Sequence, residues 1–329
     1  MRSARLDLAL ESGVFVPPSS GVIAVFRPRA GDDLSALPTD RVEVITGFRP
    51  DHDHFLARGY RVQAAAEGPY VAALVCLPRA RAGARALIAD AARRVAPGGP
   101  VAVDGQKHDG IDAALKDLRG RVEVSDPLSK AHGKLFVFAG GADLWDWQAQ
   151  PIDLPGGFRT LPGVFSADGP DRGSELLAAA LPDDLGGHIA DLGAGWGFLS
   201  RAILAHPRVK RLDLVEAEAD ALECARANVT DERARFHWAD ATGFRPDRLL
   251  DHVVMNPPFH TGREADPNLG LAFIRAAAQM LAPSGHLWMV ANRHLPYDRA
   301  LPGLFREVQE IGGDAAFRLT RASFPIRSR

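Results

Sequence analysis

The chain has 329 residues, 46% of them hydrophobic and 24% charged, and a formal net charge of −2. This composition is globular, has room for about two domains, and excludes a disordered or fibrous chain. The near-neutral charge also excludes a grip on nucleic acid through a broad basic surface, leaving only a local groove for that purpose.

In chain order, Arg2 and Arg5 are followed by no apolar segment of the kind a signal peptide needs. The longest clean apolar run, Tyr70 to Leu77, is far short of the ~20 residues that cross a bilayer. Cys76 and Cys224 lie in apolar settings and are expected to be buried thiols, with neither a disulfide framework nor a zinc site. The expectation is a soluble, cytoplasmic protein. Asp51 and Asp53 with His52 and His54 look like a metal cluster, but their flanking pattern starts a helix, and no metal site is expected. The segment from Asp143 to Gly163 repeats Pro and Gly without a period and reads as a linker. The expected domains are therefore 1–150 and 151–329. In the second, strands are expected at His188–Leu192, Arg211–Glu216, Arg235–Trp238, His252–Met255 and His286–Ala291. Helices are expected at Gly197–His206, Asp220–Asn228 and Leu271–Leu281. Such alternation gives an α/β fold with a doubly wound, mostly parallel sheet.

The first half repeats this plan. Arg85–Asp104 parallels Leu271–Val290, with Pro97 falling on Pro283 and Gly99 on Gly285. Val42–Thr46 matches Leu212–Glu216, and Ala72–Leu77 matches His252–Pro257. The chain thus reads as two tandem Rossmann-like domains produced by duplication. Open α/β sheets bind ligands at their strand ends. There the first copy has Val25-Phe26-Arg27-Pro28, Thr46 and Cys76-Leu77, so any chemistry belongs to the second.

In the second copy, the first strand runs into Asp191-Leu192-Gly193-Ala194-Gly195-Trp196-Gly197. A nicotinamide dinucleotide turn spaces its glycines G-x-G-x-x-G, and here Phe198 stands where that motif has its third. The D-x-G-x-G-x-G form suits S-adenosylmethionine (AdoMet), with Gly193, Ala194 and Gly195 cradling an amino-acid carboxylate and a nucleoside. Glu216, followed by Ala217, ends the next strand, where a carboxylate can accept from ribose hydroxyls. Asp240 and Ala241 are placed for the adenine amine and ring, although an Asp after a strand also forms turns. Ser174 opens a helix as a candidate N-cap.

Asn256-Pro257-Pro258-Phe259 ends the fourth strand. Two prolines remove two donors and stiffen the loop. The site suits a planar NH2: the Asn256 side-chain oxygen and the Pro257 carbonyl each accept one N–H, and Phe259 stacks on the base. This is catalysis by orientation and electrostatics without a strong base.

The second half resembles the class I AdoMet methyltransferases of the methyltransferase small domain. The whole chain resembles, more narrowly, the ribosomal RNA small-subunit methyltransferase C family. The residues carrying that resemblance are Leu161-Pro162-Gly163-Val164-Phe165-Ser166 with Asp171, Gly173 and Ser174, then the glycine loop. It continues through Asn256-Pro257-Pro258-Phe259-His260 with Gly262, to Ala291-Asn292 and Leu295-Pro296-Tyr297. It implies a first domain without cofactor binding, Ser174 against the methionine end of AdoMet, and methylation of guanine N2 in 16S rRNA or the 30S subunit, assembled or partly assembled. The sequence does not fix the oligomeric state; a monomer is the expectation. The chain departs from the family's pattern at Thr261 and at Arg293-His294, which bears on the choice of RNA site. Other readings of the motif are a large-subunit rRNA guanine, adenine N6, a protein glutamine amide, and a non-catalytic RNA-binding assembly factor. His260, Arg293, His294 and the C-terminal Arg318, Arg321, Arg327 and Arg329 are candidate RNA contacts, the last four read rather as a solvated tail.

Overall fold

A computed structural model describes residues 2–258 and 267–327. The chain divides into two units, Met1–Pro151 with Leu161–Gly163, and Ile152–Thr160 with Val164–Arg329. The first unit comprises α1 (Ser3–Glu11), β1 (Ile23–Phe26), β2 (Val42–Ile45), α2 (Arg49–Ala57), β3 (Arg61–Gln63) and β4 (Ala72–Cys76). It continues with α3 (Arg81–Arg94), β5 (Pro100–Gln106), α4 (Ile111–Arg119), β6 (Leu128–Lys130) and β7 (Gly133–Ala139). The second begins with a hairpin, β8 (Ile152–Leu154) and β9 (Phe158–Thr160), then α5 (Arg172–Ala180), β10 (Gly186–Leu192), α6 (Phe198–Leu204) and β11 (Arg208–Glu216). After these come α7 (Ala219–Asn228), β12 (Ala234–Trp238), β13 (Leu250–Met255), α8 (Pro267–Met280), β14 (Leu281–Asn292), α9 (Tyr297–Ala300), β15 (Phe305–Gly313) and β16 (Phe317–Pro325).

Among the described residues the two sheets have the same strand order, β3-β2-β1-β4-β5-β7-β6 and β12-β11-β10-β13-β14-β16-β15. Their registers coincide as well. Ile23 pairs with Val42 and Ala72 in one sheet, and Ile189 with Leu212 and His252 in the other. Ala73 pairs with Val101, and Val253 with Leu287. These are the residue matches read from the sequence. The central strands are apolar and buried along nearly their whole length, as parallel strands covered by helices on both faces must be. The Ala-Pro-x-Gly turns share one steric cause: a Cβ on Gly99 would lie 2.6 Å from the Val71 carbonyl, and one on Gly285 3.0 Å from that of Leu250. Each sheet closes with an antiparallel pair at one edge.

Two segments differ from the sequence expectation. The stretch read as linker contains the β8–β9 hairpin, turned by Gly156 and Gly157 at φ +79° and +72°. With Pro155 they make a three-residue connection, and the two positive φ angles that reverse the chain are ones glycine adopts without steric cost. The C-terminal segment read as a solvated tail is β16, inserted between β14 and β15. Its arginines are ordered by that placement: Arg321 stacks over Trp288, Arg318 pairs with Glu310, and Arg327 donates to the carbonyl of Leu281. Arg329 lies outside the described residues.

In the first unit the ends of β4 and β5 are sealed. Asp104, fully buried, accepts from Arg5 Nε at 2.5 Å and from Arg2 Nη1 at 2.5 Å, and Arg2 Nε also donates to Asp32. Cys76 lies in the same buried cluster, its thiol pushed up to about 12 by burial. Cys224 is buried too. Asp51 and Asp53 sit on α2, where Asp53 pairs with Arg49 and Asp51 accepts from the Ala30 N–H. Among the described residues no helix is long and apolar enough to cross a membrane.

Candidate functional site

The site of the second unit starts at the turn after β10. Gly193, Gly195 and Gly197 take φ values of +74°, +54° and +89°, which side-chain-bearing residues rarely adopt. The Gly193 and Ala194 N–H groups both donate to the Val215 carbonyl, at 2.9 and 3.1 Å, and the Gly197 N–H to the Ala194 carbonyl at 3.0 Å. The Gly195 N–H donates to Glu216 Oε2 at 2.8 Å. The loop's N–H groups at these positions are therefore engaged within the protein. At Gly193, Ala194, Gly195 and Gly197 the loop therefore meets a ligand with its backbone faces rather than with N–H groups. A Cβ on Gly195 would meet nothing within 4 Å, so the space beside it is open.

Glu216, at the end of β11, holds Gly195 with one oxygen and the Glu218 N–H with the other, at 2.7 Å. Burial raises its carboxyl above the usual range. Asp191 is fully buried at the end of β10, and burial, with a contribution from Glu216, pushes it up to about 7. Its Oδ2 accepts from Ser200 Oγ at 2.6 Å, while Oδ1 has no partner among the described residues.

Asn256 follows β13. Its Nδ2 donates to Asp171 Oδ2 at 2.8 Å and to Ser174 Oγ at 3.0 Å. Asp171 is the N-cap of α5 and accepts the Ser174 N–H through the same Oδ2 at 3.0 Å. The cap was sought at Ser174; it is Asp171, and Ser174 lies inside the first turn. Pro257 is buried and Pro258 half-buried. Phe259 and His260 lie outside the described residues.

One cleft brings Ser174, Gly193, Ala194, Gly195 and Asn256 together with Phe165, Ser166 and Asp171. No lysine or arginine lines it, and Asp171 is its one charged lining residue among those described. Asp191, Glu216, Ala217, Asp240 and Ala241 lie outside that lining, Asp191 fully buried beneath it. The Ala217 carbonyl accepts Trp238 Nε1 at 2.9 Å. Asp240 Oδ1 accepts both the Thr242 N–H and its hydroxyl, a local turn that occupies one carboxylate oxygen. Arg293 is engaged with the Asp314 carbonyl and Glu310, so it orders the β14–β16 edge; His294 is exposed.

Three residues that the sequence reading gave no role organise the cleft. Trp196, buried in the glycine loop, donates Nε1 to the carbonyls of Phe165 and Ser166, at 3.1 and 3.3 Å. Asn228 on α7 ties β9 to that loop, exchanging two hydrogen bonds with the Arg159 backbone and donating to the Trp196 carbonyl at 2.8 Å. Phe165 is thereby held 64% exposed at the cleft, next to Ser166 at φ +51°. A polar-for-backbone exchange of this kind has no periodicity; only the run of Trp196 and Phe198 beside the glycines signalled an aromatic cluster, which they form with Phe158.

Comparison with known proteins follows the second unit closely. Residues 156–321 match the family model of the methyltransferase small domain. A ribosomal RNA small subunit methyltransferase C from Cronobacter sakazakii is 32% identical over 236 residues, covering 68% of this chain and 67% of that protein. The protein of the same name from Klebsiella pneumoniae is 35% identical over 164 residues, and that match spans about half of each chain, 50% and 48%. A solved T. thermophilus 16S rRNA methyltransferase, acting on N2 of a guanosine and bound to AdoMet and guanosine, superposes with a TM-score of 0.80. That likeness of fold covers 98% of this chain and 92% of the other at 24% identity.

Proposed function

The chain belongs to the methyltransferase small domain family and, within it, to the ribosomal RNA small subunit methyltransferase C proteins, and from that membership we propose that it methylates N2 of a guanine in 16S ribosomal RNA using AdoMet. The observation carrying this reading is the single cleft that places the Asn256 amide beside the glycine loop.

The residues present fit AdoMet. The open space at Gly195 admits a ligand against the backbone. Among the described residues the lining holds no lysine or arginine, and Asp171 in it with Glu216 behind suits a ligand carrying sulfonium and ammonium charges. Phe198, standing where a dinucleotide turn has its third glycine, disfavours a nicotinamide dinucleotide. Glu216 would take the ribose hydroxyls with Ala217 beside it, Asp240 through its second oxygen and the Ala241 N–H would take the adenine, and Ser174, Asp191, Gly193 and Ala194 would hold the methionine end. When bound, AdoMet supplies an electrophilic methyl group.

The chain's own part is orientation. An exocyclic amine conjugated with its ring is a poor nucleophile. The Asn256 Oδ1 and the Pro257 carbonyl accept its two N–H groups, which shifts charge onto nitrogen and aims its lone pair. Phe165, exposed at the cleft, and Phe259 offer faces on which the base stacks. Residues 151–329 would do the transfer and residues 1–150 would position the RNA. The target base would be flipped out, or bound in partly unfolded RNA, with the 30S subunit assembled or partly assembled, by an enzyme we infer to be monomeric and cytoplasmic.

Mass spectrometry of rRNA nucleosides from cells with and without this protein tests the reading. Loss of N2-methylguanosine from small-subunit rRNA alone is the expected result. Loss from the large subunit, loss of methyladenosine instead, or an unchanged nucleoside profile overturns it.

A further inference from the structure

We propose that Asp171 is a positioning residue for the transfer: acting through the Asn256 amide, it determines which end of that side chain faces the substrate amine. This rests on the function just proposed.

An asparagine side chain can present its oxygen or its NH2 group by rotating half a turn, at little cost in shape. Only the oxygen can accept from an amine. Something in the site must therefore break the symmetry. Ser174 Oγ cannot, because a hydroxyl both donates and accepts. A carboxylate only accepts, and Asp171 Oδ2 stands 2.8 Å from Asn256 Nδ2. Rotating the amide would press Oδ1 against that carboxylate, acceptor on acceptor. Donation to an anion also draws the amide's electron density toward its oxygen, making Oδ1 a stronger acceptor.

The carboxylate is itself fixed. As N-cap of α5 it takes the Ser174 N–H at 3.0 Å. The backbone beside it must be bare: a Cβ on Gly173 would sit 2.9 Å from Asp171 Oδ2 and 3.1 Å from the Phe317 ring. The first unit lacks both partners. Its register equivalent of Asn256 is Cys76, and its helix α1, as long as α5, begins after Arg2.

Two sets of variants test this with purified enzyme and 30S subunits. Asp171→Ser keeps an oxygen for the Ser174 N–H but is too short to reach Asn256. It should lower kcat at saturating AdoMet by about 100-fold, the scale of a misaimed reacting group, and by a larger factor than any loss of AdoMet affinity that calorimetry reads from removing the lining charge. Unchanged kcat, or a loss confined to AdoMet affinity, overturns the proposal. Asn256→Asp alone sets two carboxylates against each other. Adding Asp171→Asn removes that repulsion: with its amide turned, its oxygen keeps the Ser174 N–H and its NH2 donates to one carboxylate oxygen at position 256, leaving the other toward the substrate. The double variant should exceed Asn256→Asp by about tenfold in kcat. A double variant no better than that single one overturns the proposal, whatever Asp171→Ser does. Failure of the functional reading is separately visible, as a wild-type enzyme that transfers no methyl group to rRNA, and it overturns both.

Discussion

Glu216 and Gly195 are joined by a hydrogen bond of 2.8 Å from the loop N–H to the carboxylate, so the residue expected to meet the ribose also sets the shape of the glycine turn. Both oxygens of Glu216 already accept from backbone, and each retains lone-pair capacity toward the cleft. Glu216→Gln replaces one acceptor with a donor facing an N–H. Since hydrogen bonds to charged groups contribute about 1.5–3 kcal/mol, AdoMet affinity should weaken by roughly 10–100-fold. Titration calorimetry measures this; an unchanged dissociation constant removes Glu216 from the cofactor site.

Asn256→Ala tests the acceptor itself. AdoMet should still bind, because the glycine loop and Glu216 are untouched, while turnover falls by about 100–1,000-fold, the loss typical when one preorganised polar group is deleted from a transition-state site. Turnover near wild type would sink the acceptor model.

Asp191 should make the protein's stability depend on pH in a defined direction. Its carboxyl is raised from 3.8 to about 7 by burial, so between those values the folded chain holds a proton that the unfolded chain releases. Stability from this group is then full below pH ~4 and is lost as pH rises to about 7, by on the order of 4 kcal/mol in all. His252, pushed down to about 4 chiefly by burial and next by His286, tilts the curve the other way, losing stability as pH falls through 6.5. Comparison with Asp191→Asn isolates the first effect. The variant keeps an acceptor for Ser200 and should gain on wild type steadily from pH 4 to 7 in cofactor-free urea unfolding. Parallel curves would refute it.

Asp104→Ala should destabilise the first unit by about 3–5 kcal/mol, because it strands the buried Arg5 and Arg2 guanidiniums without their counter-charge. A lowered urea midpoint is the readout. AdoMet affinity, a property of the other unit, should be unaffected in the folded protein.

The sequence was most legible where one residue type has one physical use. Apolar runs marked β10 and β13, glycines marked the turn after β10, and Asn-Pro-Pro marked the end of β13, each from local chemistry. The duplicated plan was legible because matched turns repeat the same close approach, at Gly99 and Gly285. Long-range pairings were not. Asp171 and Asn256 are separated by 85 residues, and no periodicity links an N-cap to a distant strand end. Strands β8 and β9, of three residues each, are too short to show alternation. The arginines of β16 looked solvent-bound because their partners, Trp288 and Glu310, come from other strands.

The buried ion cluster of the first unit occupies the strand ends that in the second unit border the cleft. Arg27 retains the backbone of Gly193, with φ +51° and an N–H bonded to the Ile45 carbonyl as that of Gly193 is to Val215. The backbone of the glycine turn is thus present in the first unit without its glycine. Restoring glycine at 27, an acid at 46 and an amide at 76 would not revive it, because the guanidiniums of Arg2 and Arg5 and the Asp104 carboxylate now fill the strand ends. Reversion would first have to dismantle part of what folds the unit.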